Sequence, residues 1–181
     1  MNRLRYFIAL WASKSVYVIL KLLKRNATMF PGHIALKICP DYLAQTKKCP
    51  NVLCITGTNG KTTTSHLIKD VLEDANIPCG VIGTLGIYYC DKFYEPTLTT
   101  PDPLDLHKIL SDMYESGVKC AVMEVSAHAI FLDKVKNLKF HTAVFTNFSQ
   151  DHLDFFINII ALSTHYVKGK ILKNMLLTVL G

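Results

Sequence analysis

Residues 52–77 read VLCITGTNGKTTTSHLIKDVLEDANI. The first five, VLCIT, are a short β-rich apolar run. Gly57-Thr58-Asn59-Gly60-Lys61-Thr62-Thr63-Thr64 follows at once. Beyond it Leu67, Ile68, Val71, Leu72 and Ala75 recur at helical spacing. Strand, glycine-rich turn and helix in that order predict a phosphate-binding loop. Gly57 and Gly60 let backbone N–H groups approach phosphate oxygens. The helix N-terminus adds its partial positive charge. Lys61 is placed to reach the β- and γ-phosphates, and the Thr62 hydroxyl to ligate Mg²⁺. The spacing departs from the usual G-x-x-x-x-G-K-[ST]: only two residues separate Gly57 from Gly60, and position 55 is Ile. A chance glycine-rich turn is the alternative; the flanks, Lys61 and the threonine run argue against it.

The surrounding chain sets bounds on this reading. It has 181 residues, half of them hydrophobic and 19% charged, which excludes a disordered or collagen-like chain and allows a packed core. The length suggests one domain with a short appendage and is too small for a complete multidomain enzyme. Formal charge is +6, unevenly spread. Residues 1–48 hold nine Lys/Arg and one acid, residues 49–154 eight against thirteen, and residues 155–181 three Lys and no acid. The basic ends suit an anionic lipid or other acidic surface, or are simply solvated flanks. No nucleic-acid module is recognisable in them, so no nucleic-acid partner is expected. The six cysteines form no C-x-x-C pair, which argues against a zinc ribbon or redox motif and for reduced thiols in a cytoplasmic protein.

Three readings compete for residues 6–23, YFIALWASKSVYVILKLL. A spanning helix needs roughly 20 apolar residues, and Lys14 near its middle would cost about 2.5–3.5 kcal/mol. A signal peptide would need a cleavage site that is not evident. An amphipathic helix places Lys14 and Lys21 on one face, with Leu10, Val18 and Leu22 elsewhere. The third is favoured; such a helix lies on a partner, on the core, or peripherally on a membrane surface. Further on, Pro31-Gly32 reads as a turn, Pro40 ends an apolar run, and the globular domain begins near Cys49.

Downstream, GVIGTLGIYY (80–89) reads as a strand with a glycine turn. TLTTPDP (97–103) is extended, with the Thr99 and Thr100 hydroxyls ahead of Pro101. Pro103 starts a helix that Gly117 closes. CAVMEV (120–125) is a buried strand carrying Glu124, then Ser126-Ala127-His128. A carboxylate there is costly unless paired or metal-bound, and strand C-terminal ends are where open α/β sheets bind ligands. Glu124 is therefore a metal-ligand candidate, with His128 close behind; an N-capped helix beside a surface acid is the alternative. FHTAVF (140–145) is another apolar strand, followed by Thr146-Asn147 and by Asp151-His152-Leu153-Asp154.

The run T-G-T-N-G-K-T-T-T resembles the ATP-binding loop of the Mur ligases, the amide-forming enzymes that build the peptidoglycan stem peptide. M-E-V-S-x-H and T-N-x-x-x-D-H-L-D resemble that family's next two motifs, in the same order. The resemblance implies ATP and Mg²⁺ as cofactors. It implies nucleotide contacts at Gly57, Thr58, Asn59, Gly60, Lys61, Thr62, Thr63, Asn147 and His152, with Asp151 and Asp154 shaping the site. It puts metal at Thr62, Glu124 and His128. It gives the UDP-MurNAc-peptide substrate to Thr99, Thr100, Ser126 and Lys134, the last standing where an Arg is frequent and lacking its bidentate fork. The T-T-P segment is most similar to the branch that adds the third stem residue to UDP-MurNAc-L-Ala-D-Glu.

Two regions depart from that pattern. After Phe155 the family continues to Y-x-x-x-K, whose lysine is carbamylated; Tyr166 and Lys170 have the spacing, with Lys168 and Lys173 as rivals. The tail is compatible with a native end and with a frameshift. At the other end, RYFIALWASK and RNATMFPGHIALKICPDYL resemble the Mur-ligase-like subunit of lipid II isoglutaminyl synthase, which works with a glutaminase partner. The expected architecture is an α/β, P-loop-type, mostly parallel sheet flanked by helices and truncated. It divides into a basic helical flank at 1–48, an ATP-binding domain at 49–155 and a divergent tail at 156–181. Peptidoglycan ligase, glutaminase-linked amidating subunit and nucleotide-binding module without turnover remain the three functional expectations, with nucleotide binding but weak or absent ligation by the chain alone.

Overall fold

The computed structural model describes residues 3–24, 30–96 and 98–147. Helices α1 (Arg3–Leu22) and α2 (Phe30–Ile38) precede six strands: β1 (Asn51–Thr56), β2 (Cys79–Gly83), β3 (Gly86–Tyr89), β4 (Lys92–Tyr94), β5 (Cys120–Glu124) and β6 (Thr142–Phe145). They form one sheet in the order β4-β3-β2-β5-β1-β6. The four strands β2, β5, β1 and β6 run parallel, and β3 and β4 extend one edge as antiparallel hairpins. This is the mostly parallel α/β sheet expected from the sequence. Parallel neighbours need crossover connections. Helix α3 (Lys61–Asp74) joins β1 to β2, α4 (Pro103–Glu115) leads into β5, and the short α5 (Ala127–Phe131) lies between β5 and β6.

Both faces of the sheet are covered, so its inner strands are apolar on both sides. Successive side chains point to opposite faces. Val52, Cys54, Ala121 and Met123 pack with Leu106, Leu110 and Met113 of α4 and with Ala35 and Leu36 of α2. Ile55, Val81, Cys120 and Val122 pack against Ile68 and Leu72 of α3. The same alternation sends Glu124 to the α3 side, since it shares parity with Cys120 and Val122. All six cysteines are free thiols, and only Cys90 is exposed.

The N-terminal segment is built into this core. Helix α1 rests on α2, and α2 rests on α4. The turn expected at Pro31-Gly32 is corrected: both residues lie in the first turn of α2 and are buried. A proline there forfeits an N–H that has no intrahelical acceptor, and its fixed φ suits the helix. A Cβ on Gly32 would come 2.8 Å from Pro103 Cδ, so the glycine lets α2 approach the start of α4. The amphipathic reading of α1 holds in the sense that one narrow face is buried, at Ala9 and Ser13. Among the described residues no helix is long and apolar enough to cross a membrane.

Candidate nucleotide and metal site

The chain leaves β1 at Thr56 and turns through Gly57 and Gly60, whose φ values are +126° and +80°. A Cβ on Gly57 would overlap Thr146 Oγ1 and approach Asn147 O to 2.8 Å, so both conformation and space demand glycine. The loop is held from β6. Thr146 Oγ1 donates to Thr56 O (3.1 Å) and Asn59 O (2.6 Å). Asn59 N donates to Asn147 Oδ1 (2.8 Å), and Thr58 N to Asn147 O (3.3 Å). Asn147 therefore shapes the loop from the neighbouring strand end.

Lys61 opens α3 and folds back over the loop, donating to Gly57 O (2.7 Å) and Thr58 O (3.0 Å). Burial pulls its ammonium below the ordinary lysine value, and the Glu124 carboxylate opposes that shift. Glu124 ends β5 with no exposed surface. Its Oε2 accepts from Thr62 Oγ1 and Thr84 Oγ1, both at 3.1 Å, and its Oε1 accepts from Thr84 N at 3.1 Å. Gly83, just before Thr84, leaves the carboxylate its space; a Cβ there would overlap Glu124 Oε1. Thr84 and Gly83 were not among the residues expected from the sequence. Their only signal was a Gly-Thr pair at the C-terminal end of an apolar strand.

The T-T-P segment crosses the same sheet edge. Thr99 Oγ1 lies 3.1 Å from Thr84 Oγ1. Thr100 is buried; its hydroxyl donates to Glu124 O and accepts from Ser126 N, each at 3.1 Å. Ser126 caps α5, its Oγ accepting from Ala129 N at 3.1 Å. So the helix-capping alternative for Ser126 is realised, but the acid before it is buried rather than on the surface. His128 is exposed in the first turn of α5. Thr63 lies in the first turn of α3. Lys134 is 5% exposed, and its ammonium sits 2.9 Å from Asp102 Oδ1, itself on a residue 2% exposed. That distance makes an ion pair without the alignment of a hydrogen bond. Lys134 thus braces the T-T-P segment from behind. His152, Asp151, Asp154 and Lys170 lie outside the described residues.

Loop, Glu124, Thr84 and Asn147 all sit at the C-terminal ends of parallel strands. The connection from β1 leads to β2 on one side, and that from β5 leads to β6 on the other. Open sheets bind ligands in the crevice made by such a reversal. The donor set, a buried carboxylate with two hydroxyls, suits a hard cation that keeps most of its sphere for phosphate and water. Among the described residues no three His, Cys, Asp or Glu side chains converge as an all-protein metal cage.

Comparison with known proteins agrees with this fold. Over 115 residues the chain is 44% identical to UDP-N-acetylmuramoyl-L-alanyl-D-glutamate--2,6-diaminopimelate ligase of Clostridium tetani, covering 64% of the chain and 24% of that protein. A ligase of the same name from Clostridium acetobutylicum is 48% identical over 101 residues, covering 56% of the chain and 21% of the relative. A solved structure of such a ligase superposes with a TM-score of 0.61 at 28% identity, over 77% of this chain and 30% of that one. The chain therefore spans about a quarter of the length of the curated relatives it matches. The Mur ligase middle domain matches residues 55–178, a span that starts inside β1 and runs on past Phe155. With that match covering most of its length, the chain belongs to the Mur ligase family.

Proposed function

We propose that this chain supplies the nucleotide-binding and phosphoryl-transfer part of an ATP-dependent ligase of peptidoglycan precursor synthesis. In this reading it acts in the cytoplasm on UDP-MurNAc-L-Ala-D-Glu, the acceptor that the relatives' names describe. The carrying observation is Glu124, fully buried yet shared by the Thr62 and Thr84 hydroxyls beside the Lys61 loop.

Lys61 exchanges the Gly57 and Thr58 carbonyls for the β- and γ-phosphates. The loop amides and the start of α3 cradle the remaining phosphate oxygens. Thr62 and Glu124 would hold Mg²⁺, which when bound neutralises charge on the transferring phosphoryl group. His128, the remaining metal candidate, is exposed in the first turn of α5, and an imidazole suits softer metals better than Mg²⁺. Thr99 meets the substrate, while Thr100 and Ser126, already committed to each other, position it. A substrate carboxylate oxygen attacks the γ-phosphorus and the bond to ADP breaks, leaving an acyl phosphate. An amine nitrogen then attacks the acyl carbon, phosphate departs, and the amine loses a proton to solvent. Lys61 stabilises charge on the phosphoryl oxygens during transfer.

Equilibrium ATP binding to the wild type and Lys61→Ala tests the reading. A charge-assisted contact is worth about 1.5–3 kcal/mol, so affinity should fall about 10- to 100-fold. ADP release should also require UDP-MurNAc-L-Ala-D-Glu. Unchanged affinity in the variant overturns the assignment. The amidating-subunit reading rests on the sequence of the N-terminal segment that forms α1 and α2; co-purification with a glutaminase would favour it.

A further inference from the structure

We propose that the outward face of α1 docks flat on an anionic phospholipid surface. The helix has three distinct faces. Its inner face carries Ala9 and Ser13, fully buried, with Tyr6 and Leu10 packed against the core. Its outer face carries Leu4, Ile8, Trp11, Val18 and Leu22, spaced so that they form one stripe along the helix. These are 67%, 48%, 72%, 53% and 78% exposed, an apolar ridge that nothing among the described residues covers. Arg3, Lys14 and Lys21 line one edge of that ridge, at spacings that bring all three to one side.

Charge decides the occupant. Residues 1–40 contain seven Lys/Arg and no acid. A second copy of the chain would bring like-charged edges together across the ridge, which opposes self-association. An anionic bilayer offers apolar depth for Trp11 and its neighbours and negative headgroups for the basic edge. The buried inner face keeps the helix on the protein, and it is too short of apolar length to span. It therefore lies in the interface plane. This inference stands on α1 alone and does not rest on the nucleotide reading.

Trp11 is the chain's single tryptophan, so its emission reports directly on the ridge. The full chain is mixed with vesicles of phosphatidylcholine alone, or of phosphatidylcholine with phosphatidylglycerol, at low and high salt. Expected are co-sedimentation and a blue-shifted, quencher-protected Trp11 with the anionic vesicles only, weakened by salt. The double variant Lys14→Glu/Lys21→Glu should bind at least about tenfold more weakly. Val18→Ser/Leu22→Ser should lose the blue shift with unchanged far-ultraviolet circular dichroism. Four outcomes overturn the proposal: no binding to anionic vesicles, equal binding to neutral ones, indifference to the charge variants, or the same blue shift from concentration-dependent dimerisation without lipid.

Discussion

Glu124 has no exposed surface, and a carboxylate so placed is costly unless its lone pairs meet donors. Three donors meet it: the Thr62 hydroxyl from the start of α3 and the Thr84 amide and hydroxyl from beyond β2. Gly83 keeps the space those bonds need. Gly83→Ala should push the carboxylate out of register with Thr62. The Mg²⁺-dependent part of ATP affinity should then fall about tenfold or more, since contacts to charged groups carry about 1.5–3 kcal/mol. Calorimetric titration of ATP with and without Mg²⁺ reads this. Equal Mg²⁺ dependence in the variant and the wild type would sink the role given to Glu124. The acid itself was legible in M-E-V-S-x-H, because an ionisable group at the end of an apolar run is conspicuous. Its Thr84 partner was not, because nothing local marks a threonine forty residues upstream as its neighbour.

At the scale of elements, the T-T-P segment and the β5–α5 turn hold each other. Thr100 bridges Glu124 O and Ser126 N, and Asp102, just before α4, meets Lys134 beyond α5. Asp102 occupies the N-cap position without a side-chain capping bond, so its charge is balanced by Lys134 instead. Breaking a buried pair by removing one partner costs about 3–5 kcal/mol. Asp102→Asn and Lys134→Met should each destabilise by about that much, and the double variant by clearly less than their sum. Urea unfolding of the four proteins checks this; strict additivity would mean the two charges do not interact. Lys134 was noticed for its place in a motif, as a substrate contact. The fold buries it against an aspartate thirty-two residues earlier, a pairing between the residue that precedes α4 and a residue beyond α5.

Across the whole molecule, α1, α4 and the segment that follows α2 meet in a small polar cluster inside an apolar layer. His107 of α4 pairs with Thr46 Oγ1 at 2.8 Å through Nδ1 and with Tyr6 OH at 3.3 Å through Nε2. Tyr6 stacks on Tyr42 at 5.5 Å, and burial pushes the Tyr42 phenol up. Burial, helped by the positive charge of Lys14, lowers His107 from 6.5 to about 4. The unfolded chain then binds the proton more tightly than the folded one. Stability from the neutral imidazole is complete above about pH 6.5 and is lost as the pH falls toward about 4. The loss amounts to about 3 kcal/mol at most. Denaturant midpoints should therefore drop between neutral and mildly acidic pH, and His107→Gln should flatten that drop. A wild-type midpoint independent of pH over this range would contradict the neutral, buried imidazole.

The phosphate loop, the strand before it and the helix after it were decided by residues adjacent in the chain. Glycine's access to positive φ, the alternation of β1 and the 3.6-residue spacing of α3 are local properties, so the order of residues is enough to state them. The same holds for α1 and for Pro103 at the head of α4. Only the tertiary structure decided that β5 lies beside β1, which brings Glu124 to Thr62 across 62 residues. It also decided that Pro31 and Gly32 continue a helix, that Lys134 turns inward to Asp102, and that the outer ridge of α1 is covered by none of the described residues. Strand order, helix packing and burial depend on contacts between distant segments, and neither spacing nor composition encodes which segments will meet.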